Sequence, residues 1–354
     1  SKLRKRHRQI WTDLAGEKAR TSQQRRKRLL ACESDEQAVC SGDGDPPKDS
    51  AESGQDLVEV FAGPDGLCLR AQIYLGSGAY GSVYRAKDEA GRTFALKIGK
   101  EHLLQDLSHE ARLLAMLHHP GVVWSFGLTS TACNKVALKL ECGHQNLGRY
   151  LDEQGSFNKK DCWRMVLQLL SALMYLHEKG VVHADVKPGN TLVFLDSASG
   201  SPDSCPRLKL CDFGLSVELG PEGHATVVGR EVYTLPYRPF ECAMANQKRV
   251  RIGPACDVFA MGALAFRVFR GRALFGAETY DTLLQDPTPQ AQRSVWEYRD
   301  GQMTRLDSGV RALLSKMVAP PQQRAASSVL LAMCRDRLRV ESQRTSCGPG
   351  AACT

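Results

Sequence analysis

No run of the 354-residue chain approaches the ~20 consecutive apolar residues that a bilayer span needs. The longest candidate, Val258–Phe269, is short and is interrupted by Arg267. No membrane span is expected. The 13 cysteines are odd in number, include no Cys-x-x-Cys pair and form no Cys/His cluster at zinc spacing, which argues against a disulfide framework or a zinc module. An apolar stretch of the kind a secretory signal requires is also missing from the N-terminus, where charge stands instead; cytosol or nucleus is the expected compartment. What is present is ordinary globular material, 42% hydrophobic and 24% charged, enough for a sizeable core.

The net charge of +8 conceals a sharp asymmetry. Residues 1–30 carry 11 Lys and Arg against 2 Asp and Glu, whereas residues 31–60 carry 1 against 9. Like charges in blocks repel one another and leave too little apolar surface to offset chain entropy, so residues 1–60 are predicted to be a disordered basic then acidic arm. Within it, Arg4-Lys5-Arg6-His7-Arg8 and Arg25-Arg26-Lys27-Arg28 could bind a nuclear import receptor, a phosphate backbone or an anionic membrane surface, with a solubilising tail as the bland alternative. Import is the preferred reading. The acidic stretch with Pro46-Pro47 reads as a linker.

From Leu67 the pattern changes. Leu69–Leu75, Gly81–Asp88, Thr93–Ile98, Val122–Leu128 and Lys135–Leu140 read as five strands, with an amphipathic helix over Leu103–Leu117. Beyond Gly143 the apolar spacing becomes helical, most clearly in Lys159–Lys179 and Cys256–Phe269. The predicted architecture is α+β, a small five-stranded antiparallel sheet lobe followed by a larger helical lobe.

Three motifs carry chemistry. Gly76-Ser77-Gly78-Ala79-Tyr80-Gly81-Ser82-Val83 joins two predicted strands, so its glycines can bring backbone N–H groups to phosphate oxygens; because a strand follows and not a helix, a dinucleotide fingerprint is excluded. Lys97 lies in an apolar strand, where a buried ammonium needs an anion, and Glu110 in the next helix can face it while Lys97 holds the α- and β-phosphates of ATP. The third is His183-Ala184-Asp185-Val186-Lys187-Pro188-Gly189-Asn190, followed by Cys211-Asp212-Phe213-Gly214. Here Asp185 can accept a substrate hydroxyl's proton, Lys187 can steady the γ-phosphate, and Asn190 and Asp212 can supply oxygen ligands to Mg²⁺. Any one of these could be a capping or turn residue; four in this order could not all be.

With these motifs in place, residues 66–340 resemble a eukaryotic-type protein kinase domain, leaving 341–354 as a C-terminal tail. The resemblance implies the bilobal kinase fold, ATP and Mg²⁺, and protein substrates. It implies nucleotide contacts from Gly76, Gly78, Gly81, Val83, Ala95, Lys97 and Leu192, an adenine-facing hinge at Glu141, Cys142 and Gly143, and a gatekeeper at Leu140. Lys187 and Thr234 resemble the serine/threonine class. Asp257 matches the residue that braces the catalytic loop, and Glu241, ending a segment with Phe240 where Pro is usual, should pair with Arg324. The Arg that normally precedes the catalytic Asp is replaced by Ala184, which removes the guanidinium that would hold a phosphorylated activation loop. Dependence on activation-loop phosphorylation is therefore not expected.

The catalytic-loop sequence, the segment Tyr233–Glu241 and the charged arm resemble more narrowly the conserved herpesvirus protein kinases, of the alphaherpesvirus type. That resemblance implies a virion tegument kinase of the infected-cell nucleus, with cytoplasm as a further compartment. A divergent cellular kinase, a pseudokinase and a small-molecule kinase are the competing readings. Nucleic acid is not expected as the main partner, because no aromatic-interleaved basic surface is present.

Overall fold

The structure, a computed structural model, describes residues 59–62, 68–78, 81–99, 104–131, 135–195, 205–229, 231–245, 249–286 and 288–346. The arm up to residue 58 with both basic clusters, the domain start at Gly66, the loop-tip residues Ala79 and Tyr80 and the end of the tail lie outside them. The rest forms two units, one of residues up to Leu107 with Phe126–Cys142, the other of Ser108–Ser125 with Gly143 onward.

The first unit is an antiparallel sheet closed into a barrel in the order β1-β2-β3-β4-β6-β5. The five expected strands are β2 (Cys68–Gly78), β3 (Gly81–Asp88), β4 (Thr93–Gly99), β5 (Ser125–Thr131) and β6 (Val136–Glu141). The structure adds one strand and moves the start of another. A sixth strand, β1 (Glu59–Ala62), pairs with both β2 and β5, removing the free edges an open sheet would leave; four residues are too few to show an alternation in sequence. β5 also starts later than Val122, because Val122 and Val123 are buried and their backbone is bonded to Leu210 instead. Phe94, Leu96, Ala86 and Ala137 fill the interior, with Tyr84 and Ile98 packed against them. Lys139, buried, holds its ammonium 4.1 Å from the Phe94 ring centre and 5.4 Å from that of Phe126, electrostatic contacts with the ring faces.

The second unit is mainly helical. Helix α1 (Leu104–Met116) contributes its residues from Ser108 on. Helices α2 (Leu147–Gln154) and α3 (Lys159–Glu178) start at Asn146 and Asn158, whose side chains accept from Arg149 N and Asp161 N and so satisfy orphan donors of the first turns. Helix α4 (Phe240–Met244) precedes α5 (Pro254–Arg270), which opens on a proline and ends on Gly271 at φ +71°. Nearly all of α5 is buried, since neighbours cover it on every side. A side chain at Gly262 would run into Val318 and Met317, so that glycine sets how closely α5 approaches α8 (Ser308–Met317), which follows α6 (Ala277–Gln285) and α7 (Pro289–Met303). The last, α9 (Ser327–Ser346), runs past residue 340 and packs on α3. Among the described residues, no helix is long and apolar enough to cross a membrane, and Cys142, Cys162, Cys205, Cys211, Cys242, Cys256 and Cys334 are free thiols.

Short strands carry the loops of this unit. β9 (Thr191–Phe194) pairs with β10 (Arg207–Leu210) and with β7 (Gln145–Asn146), β8 (Val181–Val182) with β11 (Val217–Glu218), and β12 (Ala225–Val228) with β13 (Arg249–Ile252). β8, β9 and β10 thus fix both ends of residues 183–190 and the start of 211–214.

Candidate active site

In the first unit the strand register gathers residues far apart in sequence. Gly76 lies opposite Val83, Val83 opposite Lys97 and Lys97 opposite Leu138; one row along, Arg85 faces Ala95 and Ala95 faces Leu140. Directly opposed residues share a face of the sheet, so Gly76, Val83, Ala95, Lys97 and Leu140 line one side while Phe94 and Leu96 fill the other. Lys97 is 7% exposed. Gly78 pairs with Gly81 at the base of the loop, and a Cβ at Gly81 would collide with the Ile98 carbonyl, so only glycine allows β3 to pass β4 there. The register slips between Tyr74 and Gly76, an irregularity that bends β2 as it enters the loop.

In the second unit Asp185, Lys187, Asn190 and Thr234 form one hydrogen-bonded group. Asp185 Oδ1 accepts from the backbone N–H and the hydroxyl of Thr234, each at 3.0 Å. Its Oδ2 accepts from Asn190 Nδ2 at 2.8 Å and pairs with Lys187 Nζ at 2.7 Å. Lys187 Nζ also donates to Thr234 Oγ1 at 2.8 Å. Because Asn190 spends its amide N–H groups on Asp185, its side-chain carbonyl oxygen is the atom it has to offer a cation. Asp212 sits beside it: Cys211 N donates to Asn190 O at 3.0 Å, and Asp212 itself holds a left-handed backbone at φ +64°. An amide oxygen and a carboxylate are the hard oxygen donors that Mg²⁺ prefers, so the residues present fit that ion.

What holds this group is Asp257, at the start of α5 and 0% exposed. Its Oδ1 accepts from Ala184 N at 3.0 Å and the Tyr233 hydroxyl at 2.9 Å, its Oδ2 from His183 N at 2.8 Å, with His177 Nε2 at 3.2 Å. Burial works against this carboxylate, yet His177 and His183 outweigh it and hold its pKa below the usual value. Burial, reinforced by Asp257, pushes the Tyr233 phenol well above its ordinary range, so it stays a donor. Ala184 and Tyr233, both at positive φ, exchange a further bond from Tyr233 N to Ala184 O at 2.9 Å. Such strained backbone persists where surrounding contacts over-determine it.

The His183 ring ties the two loops together. Its Nδ1 accepts from Asp185 N at 3.3 Å, so Nε2 carries the proton and donates to Cys211 O at 3.1 Å. Glu110, 1% exposed, accepts from Phe213 N at 3.0 Å. Gly143 and Leu192 are brought together as well, since a Cβ on Gly143 would lie 3.0 Å from that of Leu192. Glu241 and Arg324 form the expected pair, with Arg324 Nη2 donating to Glu241 Oε2 at 2.8 Å. Phe240 stacks edge-on against Phe259, Phe275, Tyr280 and Trp296, a cluster that a proline could not fill.

The structure therefore places Lys97, Gly76, Gly78, Gly81, Val83, Ala95 and Glu141 in the first unit, and Glu110, Gly143, Asp185, Lys187, Asn190, Leu192 and Asp212 in the second. Sequence reasoning missed the roles of His177, His183 and Tyr233. The only local signals were that His183 stands two residues before Asp185 and Tyr233 one before Thr234.

Comparison with known proteins agrees with this geometry. Among curated relatives, the NUAK family SNF1-like kinase 2 of Rattus norvegicus is 30% identical over 227 residues, 62% of this chain and 33% of that protein. The serine/threonine-protein kinase tousled-like 2 of Mus musculus is 28% identical over 234 residues, covering 60% and 32%. The calcium/calmodulin-dependent protein kinase type 1 of Macrobrachium nipponense is 32% identical over 207 residues, covering 56% and 55%. The chain thus spans about a third of the length of the first two. The family description "Protein kinase domain" matches residues 70–333, and with Asp185, Asn190 and Asp212 assembled inside that span, the chain belongs to the protein kinase family.

Proposed function

We propose that the chain transfers the γ-phosphoryl group of ATP to serine and threonine hydroxyls of proteins. The observation that carries this is the group around Asp185, whose carboxylate is fixed by Thr234, Asn190 and Lys187. The acceptor oxygen attacks the γ-phosphorus, the bond to the bridging oxygen breaks, ADP leaves and the hydroxyl proton passes to Asp185. Lys187, held between Asp185 and Thr234, neutralises charge on the transferring group. Lys97 binds the α- and β-phosphates, and Gly76, Gly78 and Gly81 offer backbone N–H groups to them. Asn190 and Asp212 would hold Mg²⁺, which supplies charge neutralisation on the phosphates.

Transfer from labelled ATP to a generic protein acceptor tests the reading. Label should appear with the native chain and be lost with Asp185→Asn and with Lys97→Met. Equal label from all three would remove the assignment, and nucleotide binding without transfer would make the chain a pseudokinase.

Activity is proposed not to require activation-loop phosphorylation, since Ala184 supplies no guanidinium; native protein that stays inert until another kinase modifies Thr226 would refute this. The finer identity is a viral tegument kinase acting in the host nucleus, supported by residues 183–190, by Tyr233–Glu241 and by the basic arm. A fluorescent fusion should concentrate in the nucleus and lose that localisation when Arg25, Arg26, Lys27 and Arg28 are replaced by Ala. The divergent cellular reading is favoured by the relatives named above, and absence of the protein from purified virions would decide for it.

A further inference from the structure

Among the free thiols of the described residues, Cys242 and Cys256 face each other across two helices. Cys242, in α4, and Cys256, in the first turn of α5, are 5% and 6% exposed, and Cys242 Sγ donates to Cys256 Sγ at 3.9 Å. Cys256 Sγ donates in turn to Glu241 Oε1 at 3.7 Å. This row of weak donors therefore ends on a carboxylate that Arg324 already holds through both of its terminal nitrogens. Neither cysteine takes part in the proposed reaction.

Two thiols and a carboxylate so close together are donors for a soft cation, but Glu241 spends both oxygens on Arg324. That leaves the two sulfur atoms, short of the four ligands a structural zinc takes. A disulfide needs no further donor. Its sulfur atoms stand about 2.05 Å apart and its Cβ atoms about 3.5–4.5 Å, so side-chain rotation has only to close about 2 Å between sulfurs now at 3.9 Å. A cavity of about 140 Å³, lined by Phe240, Met244, Trp296 and Pro320, reaches Glu241, whose side chain is 27% exposed. The buried row thus opens to solvent at its acidic end.

We infer that Cys242 and Cys256 are a redox pair that closes to a disulfide under a hydroperoxide and latches α4 to α5, reopening with thiol reductants. The inference goes beyond the proposed transfer reaction and does not depend on it. Glu241 takes the Cys256 proton, the sulfur attacks a peroxide oxygen, the O–O bond breaks and the departing hydroxide leaves as water with that proton; Cys256 is then a sulfenic acid. The Cys242 sulfur attacks the Cys256 sulfur, the S–O bond breaks and the hydroxyl group leaves as water with the Cys242 proton. Two thiols are oxidised and one peroxide is reduced to two waters. The neighbouring Cys256 and burial push the Cys242 thiol far above its ordinary range, so it keeps its proton until this second step. Because Cys242 follows Glu241 and Cys256 precedes Asp257, the latch joins the Arg324 anchor to the carboxylate that holds residues 183–190. Bridging positions 14 apart restricts the unfolded chain and should lower the unfolding equilibrium constant roughly a hundredfold.

The test reduces the native chain, removes the reductant, adds hydrogen peroxide and maps the thiols by mass spectrometry of unreduced peptides. A cross-link of Cys242 to Cys256 should form, lighter than the separate peptides by the two hydrogens lost, and dithiothreitol should reverse it. Urea unfolding of the oxidised chain should show the gain in stability. Cys242→Ser should show none, and its Cys256 should accumulate as a sulfenic acid trapped by dimedone; Cys242→Ala, which keeps the site apolar, gives the same readout if the serine chain folds poorly. Oxidation of other thiols while this pair stays reduced, or a bridge that forms only after unfolding in urea, overturns the inference. So does stoichiometric zinc that shields both sulfurs from peroxide, which would make the cluster a metal site. A bridge that forms without raising stability overturns the latch.

Discussion

The loop of residues 183–190 and the β12 strand are held in opposite ways. The loop hangs from one buried carboxylate, Asp257, that collects Ala184 N, His183 N, the Tyr233 hydroxyl and the His177 ring. The β12 strand lies at the surface and is held by a distributed backbone ladder to β13, with side chains on its outer face free of the core. A buried charge network fails as a unit when one member is lost, because the partners are left unsatisfied in a low-dielectric interior. A ladder loses stability one contact at a time. The loop's geometry therefore rests on Asp257 through Ala184 N and His183 N.

The largest effect should come from removing the hub. Asp257→Ala leaves two backbone N–H groups, a phenol and an imidazole without an acceptor, and breaking such a buried charge typically costs about 3–5 kcal/mol. Against a total of about 5–15 kcal/mol this displaces the urea midpoint strongly or unfolds the chain. Val250→Thr in the ladder should cost far less than Asp257→Ala. If the two were equal, the contrast between hub and ladder would be lost.

Acid sharpens the same contrast. The pKa of Asp257 is held below the usual carboxylate value of 3.8. A group depressed in the folded state contributes stability that is fully present above its unfolded pKa and is lost as pH falls through its folded value. The network should therefore hold at neutral pH and fail only below about pH 4. Asp257→Asn should flatten this acid limb in a urea titration repeated across pH, whereas Arg251→Ala should leave its slope unchanged. Next in size is Tyr233→Phe, which deletes one donor to a charged acceptor and should cost about 1.5–3 kcal/mol by the same titration.

Much of this organisation was legible in the sequence because it is written in local order. Gly76 to Val83, Lys97, and Asp185 to Asn190 each lie in or beside a strand or turn whose period shows in a few residues, and the two helices singled out beyond Gly143 fall within a residue or two of expectation, whereas the equally long α9 was not singled out. The hub was less so. Asp257 is separated from His177 by 80 positions and from Tyr233 by 24, and no periodicity relates them. β1 and the β12–β13 ladder were missed because four-residue strands carry too little alternation to stand out from loop. Phe240 looked like a departure from the family pattern and proves to be the centre of an aromatic cluster, something only packing can show.

The smallest expected effect concerns β11, upstream of the β12 strand. Arg112 Nη2 lies 2.6 Å from Glu218 Oε2, an ion pair between α1 and β11 whose side chains are 49% and 48% exposed. Its hydrogen bond and charge draw the Glu218 pKa down, but half-exposed partners are screened by solvent, and exposed pairs of this kind yield about 0.2–1 kcal/mol in double-mutant cycles. An Arg112→Ala and Glu218→Ala cycle, measured by urea unfolding, should return a coupling in that range at low salt. In 1 M salt, where the screening length falls to about 3 Å, the coupling should disappear. A salt-resistant coupling above ~2 kcal/mol, the scale of hydrogen bonds to buried charges, would mean that this part of the chain hangs from this charge pair. The ladder would then be a consequence of that anchoring and not its cause.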